Sequence, residues 1–511
     1  MRAGSFHRKC RSLGWRVHFT RRRLTLPRIS RPPLQSLPVD TVARWLNRQG
    51  IDDGVPFLIA PDGRYDIELN SYFLLNPAPE NTQAAIAYDL ASFLTFLWCH
   101  RQPLGEKSWR DATPEDRAAY HHWRRVDEDG PGVMGSTWGR EVATVNSFYC
   151  WAVEAGFVAQ NPILQREARG RRWRGRALAG LTPAEAPKDG HREDLAWLPP
   201  VSYRRWRDVG VRGYLPTGLA DRSFRGRNAA RNGTFCDLMV RTGLRLAEQS
   251  ALTLFEVPEI DIHRAYAPTR LPSAIAKNGS GRRIYIPATV LRDLWDYIRF
   301  DRSELIEQAQ RRGTYDRLPD KLLVTDPEDG AIGPHTAGDR RRPVETLKPR
   351  QRRRLFVCGP EGLEPASLWL NQRGLPGMPG TWQSMFADAN DRCRHHEVDL
   401  RAHPHLLRHT YAVVTLEQLQ REHIRELGAM NPGQRTTYEQ VFGDPLDWVR
   451  RRLGHRSVET TFKYLHTLNE LAMETRLALV PDEWAEVRVS AEDLSGEVAD
   501  EQIAGDIADS A

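Results

Sequence analysis

Four short segments in the C-terminal half of the chain hold charged or nucleophilic residues in settings suited to chemistry on an anion. In RTGLRLAEQSALTL (241–254), Arg245 follows a Thr-Gly break and Glu248 lies three residues on, on the same helical face. Taken alone, that pair reads as a surface ion pair worth under about 1 kcal/mol. Lys277 stands just before Asn278-Gly279, a turn signal from which a long side chain reaches beyond a sheet, although a turn lysine by itself reads as solvated. In AHPHLLRHTYAVVTL (402–416), Pro404 opens a helix, so His405 and Arg408 fall at i and i+3 on one face with His409 next to Arg408. Leu406, Leu407, Val413 and Val414 lie on the opposite face and pack inward. Two imidazoles and a guanidinium at a helix N-terminus form a candidate anion site, because free N–H groups and the helix dipole add to them. In LGHRSVETTFKYLH (453–466), His455 sits in a Leu-Gly-His turn and Tyr464 follows nine residues later. A tyrosine at helical spacing is usually packing, so its meaning depends on which charged residues the fold brings to it.

The elements that must position these residues follow from apolar spacing and from start and stop signals. Pro77-Ala-Pro-Glu-Asn-Thr82 breaks the chain, and QAAIAYDLASFLTFLW (83–98) repeats apolar positions as an amphipathic helix does. A second helix is expected over 114–125, with Thr113 as N-cap and Pro114 at the first helical position. A third spans 136–156 and ends at Gly156, and Asn161-Pro162 closes the unit. After a Gly/Arg/Pro-rich stretch (164–200), the second domain opens with helices over 200–209 and 232–242. SAIAKNGSGRRIYIP (273–287) predicts a hairpin turning at Asn278-Gly279. Helices return over 288–311, 380–394, 404–429, 445–453 and 457–470, with Asp444-Pro445 starting the fourth of these, Gly454 ending it and Ser457 capping the last. A short helix is expected over 40–47.

With 511 residues, 40% hydrophobic and 27% charged, the chain reads as a multi-domain globular protein. No apolar run approaches the ~20 residues that span a bilayer, and the basic N-terminus lacks the apolar core of a signal peptide. The six cysteines form no C-x-x-C pair, so neither a disulfide scaffold nor a zinc site is expected, and a cytoplasmic location fits. The net charge of +7 leans towards a polyanionic partner. Basic residues concentrate in the first 32 residues, in REARGRRWRGR (166–176) and in RRRPVETLKPRQRRR (340–354), while the tail after Arg488 is acidic and reads as disordered.

The order T-G-x-R, hairpin Lys, H-x-x-R-H-T, L-G-H and a Tyr nine residues on resembles the tyrosine recombinase (phage integrase) family over about residues 78–480. The resemblance implies a fold that is mainly α with a small β-sheet. It implies a basic arm (1–77), a helical SAM-like core-binding domain (78–163), a basic linker (164–200), an α+β catalytic domain (201–485) and an acidic tail (486–511). It implies site-specific cleavage and rejoining of double-stranded DNA through a 3′-phosphotyrosyl link, without cofactor, metal or ATP, by a tetramer on two duplexes clamped between the two domains. Tyr464 would be the nucleophile, Arg245 and Arg408 the phosphate clamp and Lys277 the general acid. His405 would accept or relay the tyrosine proton, His455 would hydrogen-bond the phosphate, and Glu248 would orient Arg245 or brace the fold. One departure is a longer stretch (421–440) before L-G-H, read as a surface insertion that could alter partner contacts, and an apolar helix over 469–480 is expected to dock on a neighbour. The same fold without chemistry, as a DNA-binding regulator, and a type IB topoisomerase-like relaxase are the rival readings.

Overall fold

Helices form where the start and stop signals stand. The computed structural model describes residues 14–20, 45, 48–51, 53–101, 107–167, 181–187, 195–226, 228–318, 321–324, 331–332, 342–430, 444–458 and 460–468. They belong to two units, 1–192 and 193–511. Among the described residues no helix is long and apolar enough to cross a membrane.

In the first unit, β1 (Arg16–Phe19) pairs antiparallel with β2 (Pro56–Ile59), and four helices follow: α1 (Ile67–Leu75), α2 (Glu80–His100), α3 (Pro114–Arg125) and α4 (Gly135–Glu154). Helix α3 starts on a capping box: the Asp116 N–H donates to the Thr113 hydroxyl and the Thr113 N–H donates to the Asp116 carboxylate. Those bonds satisfy amide groups that a helix start leaves unpaired. The aromatic core of α2, α3 and α4 (Phe93, Phe96, Tyr120, Trp138, Phe148, Tyr149) also takes in Leu58, Leu69 and Phe73. The boundary expected at residue 77 therefore moves, because β2 and α1 are part of this unit. The ends of the expected linker are likewise folded: β3 (Gln165–Glu167) pairs with β4 (Leu181–Pro183), and Glu185 bonds Arg117 at 3.0 Å.

The second unit begins before residue 201. Leu198 is in its core and donates its N–H to the Thr410 hydroxyl at 2.9 Å. Helix α5 (Pro200–Trp206) runs into a π-helical turn, and α6 (Ala229–Thr242), the short α7 (Leu246–Ser250), strands β5 (Tyr266–Leu271) and β6 (Arg282–Pro287), α8 (Ala288–Tyr297) and α9 (Ser303–Arg311) follow. A four-stranded sheet, ordered β10-β9-β7-β8, was not expected from the sequence. It joins β7 (Leu322–Val324) in parallel to β9 (Leu355–Gly359), with β8 (Ala331–Ile332) and β10 (Gly362–Pro365) at its edges. The one-turn α10 (Pro349–Arg352) precedes β9, and α11 (Pro379–His395), α12 (Pro404–Ala429), α13 (Pro445–Leu453) and a last helix, α14 (460–468), complete the unit. Its core is built on Trp206, Phe235, Trp369, Trp382 and Phe386, with the rings of Phe235 and Trp382 stacked 3.7 Å apart. A second cluster gathers Tyr411, Val413 and Leu416 of α12 with Leu446, Val449 and Leu453 of α13, and Tyr464 of α14 packs into it.

The predicted hairpin is real but differently built. Its first arm is YAPTRL (266–271), paired from Tyr266↔Pro287 to Leu271↔Arg282, not SAIA. Ile275 and Ala276 instead turn into the core, at 5% and 8% exposure. Pro268 and Arg270 had masked the alternation of the true arm. The Asn-Gly signal still marks a tight turn, since Asn278 (φ 57°) and Gly279 (φ 69°) both take the left-handed conformation. Residues 421–429 of the expected insertion continue α12, and 431–440 lie outside the described residues. So do the acidic tail, the apolar segment 469–480, the basic run beyond residue 167 and, apart from Trp45, the helix expected over 40–47.

Candidate active site

Two helix ends build the floor of the site. Helix α6 stops at Gly243 (φ 65°) and α13 at Gly454 (φ 66°), both in the left-handed conformation that glycine adopts without strain. Arg408, in the second turn of α12 and 2% exposed, donates to the Gly243 carbonyl through Nη1 and to the Leu453 carbonyl through Nη2 at 2.5 Å. Its Nη2 also meets Nε2 of His455 at 3.2 Å. No carboxylate pairs with Arg408 among the described residues, and its Nε–H and one Nη1–H have no partner there. Burial first, and then the Arg245 charge, push its pKa down to about 9, so it is still a cation at neutral pH. A buried cation held by neutral carbonyls keeps the capacity to pair with an anion.

His455 braces that cation. Nε2 faces an arginine N–H and must accept, so the ring proton is on Nδ1, which donates to the Thr461 hydroxyl at 3.0 Å. Burial, followed by the charges of Arg408 and Arg245, lowers its pKa to about 3, and the ring is neutral. In this arrangement His455 has no N–H left for a phosphate.

Arg245 stands at the N-cap of α7 and bonds Glu248 at 2.9 Å. Glu248 is 1% exposed and also takes Arg282 at 2.6 Å. Burial works to raise the Glu248 pKa, but the Arg282 hydrogen bond and charge, with those of Arg245, outweigh it and bring the carboxyl to about 2. Lys277 is tied by its backbone N–H, which donates to Glu248 at 3.2 Å, while its exposed side chain has no hydrogen bond or ion pair among the described residues.

Tyr464 is 1% exposed. Its hydroxyl is 2.9 Å from Nδ1 of His409, and the direction of that bond follows the tautomer. Its ring lies parallel to that of His455, centroids 6.2 Å apart. Burial raises the phenol to about 12 against the opposing pull of Arg408 and Arg245. His409 is lowered to about 3 by burial and then by Lys463, His405 and Arg408. His405 makes no hydrogen bond with Tyr464 among the described residues. It is exposed one turn earlier and stacks on His409 at 5.4 Å, its pKa lowered by burial and by Arg408. At the start of α12, the Leu406 N–H is taken by Nδ1 of His403 at 3.2 Å, so one of the amides expected to be free for an anion is not.

The fold thus gathers Arg245, Arg408, His455 and Tyr464 around one point, places His405 beside it through His409, and ties Lys277 to it by its backbone N–H on Glu248. Two neighbours of the phenol were not assigned a role by sequence. His409 was named as one of the two imidazoles of the anion site, but nothing in the spacing ties it to a tyrosine 55 positions on. Lys463, whose Nζ is 5.1 Å from the Tyr464 ring centroid, is marked only by adjacency. An open pocket lined by Arg283, Arg450, Arg451 and Arg456 adjoins His455. Among the described residues no cluster of His, Cys, Asp and Glu has the makings of a metal site.

No protein-family model matches the sequence, and no curated protein matches it. Among solved structures the chain is similar to the XerH site-specific recombinase bound to palindromic difH substrate, at 12% identity and a TM-score of 0.45 over 93% of each chain. It is similar to the Tn1549 transposon integrase in complex with a circular intermediate DNA, at 12% identity and a TM-score of 0.43 over 80% of this chain and 98% of that one. A lambda integrase dimer bound to a COC′ core site is also similar, at 12% identity and a TM-score of 0.39 over 82% of this chain and 96% of that one. These three solved structures are integrases and a site-specific recombinase.

Proposed function

We propose that the protein is a site-specific DNA recombinase that breaks and rejoins double-stranded DNA through Tyr464. The observation that carries this reading is the buried Arg408, without a carboxylate partner among the described residues, beside a phenol already bonded to an imidazole. A structural tyrosine needs no such neighbours. A phosphodiester placed against the free N–H groups of Arg408 and the Arg245 fork supplies the anion that the site lacks.

The step is an in-line displacement. Tyr464 Oη forms a bond to phosphorus while its proton passes to Nδ1 of His409, in the tautomer with its own proton on Nε2. The proton on His409 then passes to solvent water on the side where His405, stacked on His409, is exposed. Charge gathering on the non-bridging oxygens is met by Arg245 and Arg408, whose planar forks suit phosphate. His455 keeps Arg408 in register. The P–O5′ bond breaks and the 5′-oxygen takes a proton from Lys277 Nζ. The 3′-phosphotyrosyl link conserves the phosphodiester energy, so the 5′-hydroxyl reverses the step without ATP. With the phenol at about 12, ionisation at pH 7 lies about five units uphill, near 1.4 kcal/mol for each, and this cost is what the cations and the base must offset. Exchange of strands between two duplexes calls for a tetramer on DNA.

The test is covalent capture. Nicked duplexes covering the DNA that flanks the protein's own gene are incubated with wild type and Tyr464→Phe, and adducts are mapped by mass spectrometry. Wild type is expected to give one adduct at Tyr464 while Tyr464→Phe binds equally well and gives none. An adduct that persists in Tyr464→Phe, or none in wild type across the whole region, defeats the reading.

A further inference from the structure

One buried ion pair joins three of the segments that the proposed chemistry uses, and no step above employs its guanidinium. Arg282 opens β6 and is 9% exposed. Its Nη1 and Nη2 donate to Glu248 at 3.2 and 2.6 Å, and its Nε donates to the Arg452 carbonyl at 2.6 Å. Glu248 in turn accepts from the backbone N–H of Arg245 at 3.0 Å, from Nη1 of Arg245 at 2.9 Å and from the backbone N–H of Lys277 at 3.2 Å. The carbonyl after the one that Arg282 holds, that of Leu453, accepts from Arg408. A single planar fork therefore spans the Arg245 segment, the Lys277 loop and the strand of chain that enters the His455 turn.

We propose that Arg282 is a positioning residue for strand cleavage: acting through Glu248 and the Arg452 carbonyl, it fixes the loop bearing Lys277 against Arg245 and Arg408 so that the ammonium meets the departing 5′-oxygen. This rests on the recombinase reading of the same site. Ile275 and Ala276 seat the start of the loop in the core, but from Lys277 on the turn is exposed. The Lys277 side chain has no hydrogen bond or ion pair among the described residues, and beyond the turn's own bonds Asn278 is met by Arg456, which donates to its carbonyl at 2.9 Å. The hairpin has its own docking contacts: the Arg452 guanidinium lies against the stacked rings of Tyr285 and Trp448, at 4.4 and 4.8 Å, and donates to the Arg283 carbonyl at 3.0 Å. Loss of Arg282 thus loosens the loop while the hairpin stays in place. A lysine at 282 keeps one charge contact with Glu248 but lacks the fork that reaches the carbonyl at the same time.

The experiment compares wild type, Arg282→Gln and Arg282→Lys on two versions of a cleaved duplex. One carries the natural 5′-oxygen at the scissile bond and the other carries sulfur there. Sulfur leaves as a thiolate, with a thiol pKa near 8.5, and needs no proton from Lys277. On the oxygen duplex, Arg282→Gln is expected to cleave about a hundredfold slower and Arg282→Lys about tenfold slower, with DNA affinity unchanged. On the sulfur duplex both are expected within about threefold of wild type, because the missing general acid no longer matters. Equal losses on the two duplexes would overturn the proposal, and if Arg282→Gln does not fold, the same comparison is read on Arg282→Lys. Wild type forming no adduct on either duplex would sink the recombinase reading itself, an outcome distinct from equal losses in a variant whose wild type is active.

Discussion

Tyr464 and His409 share a 2.9 Å contact, and the charge states around them follow from burial more than from pairing. As the proposed acceptor of the phenol proton, His409 is worth about 10²-fold or more in rate, so His409→Ala should slow adduct formation by that order while His405→Ala, which removes only the ring stacked on His409, costs clearly less. Single-turnover cleavage of one nicked duplex by the two variants separates these roles. The same rings make stability depend on pH. His409 and His455 titrate near 3 when folded and near 6.5 when unfolded, so between those values the unfolded chain binds more protons and stability falls as pH falls. Glu248, held near 2 against a usual 4.5, adds a loss of the same sign below about pH 4.5. Melting temperatures at pH 7, 5.5 and 4.5 should therefore drop more steeply in wild type than in a His409→Gln, His455→Gln double variant. The residue types were legible in the chain; which imidazole would touch the phenol was not, because only the packing of α12 against α13 and α14 decides it.

The two glycines that end α6 and α13 present carbonyls to Arg408, one directly and one through the preceding residue, and their conformation is part of how Arg408 is held. A Cβ at Gly243 would stand 2.3 Å from the Tyr411 ring. Gly243→Ala should thus cost more than the roughly 1–2 kcal/mol of left-handed strain, and urea unfolding midpoints will show it. A Cβ at Gly454 meets Ser280 Oγ at 3.1 Å and Arg282 Nη1 at 3.2 Å, a milder crowding that falls on the positioning network. The helices bearing these caps were readable because cap, apolar stripe and stop agree: α3, α12 and α13 begin and end where Thr113-Pro114, Pro404, Asp444-Pro445 and Gly454 place them. The strands were not. β7 and β8 are three and two residues long, too short for a period-2 pattern to register, and β5 hides its alternation behind Pro268 and Arg270.

Over the whole molecule, an excess of cations fits a polyanion better than any single pocket does. The chain carries 73 Lys and Arg against 66 Asp and Glu, and the arginines of the pocket beside His455 add local charge to the proposed cleavage point. Duplex binding is expected to weaken by about 10³–10⁵ between 50 and 200 mM salt if six to ten phosphates are held, and fluorescence anisotropy across that range measures the slope. A flat response would mean that backbone contacts do not dominate. Under the proposed chemistry, reactivity, unlike affinity, hangs on one detail of the packing: Tyr464 is only 1% exposed. In that chemistry the scissile phosphate has to be pressed against Arg408 and Tyr464 while the His409 bond is kept, and the free energy for that entry comes from binding the duplex.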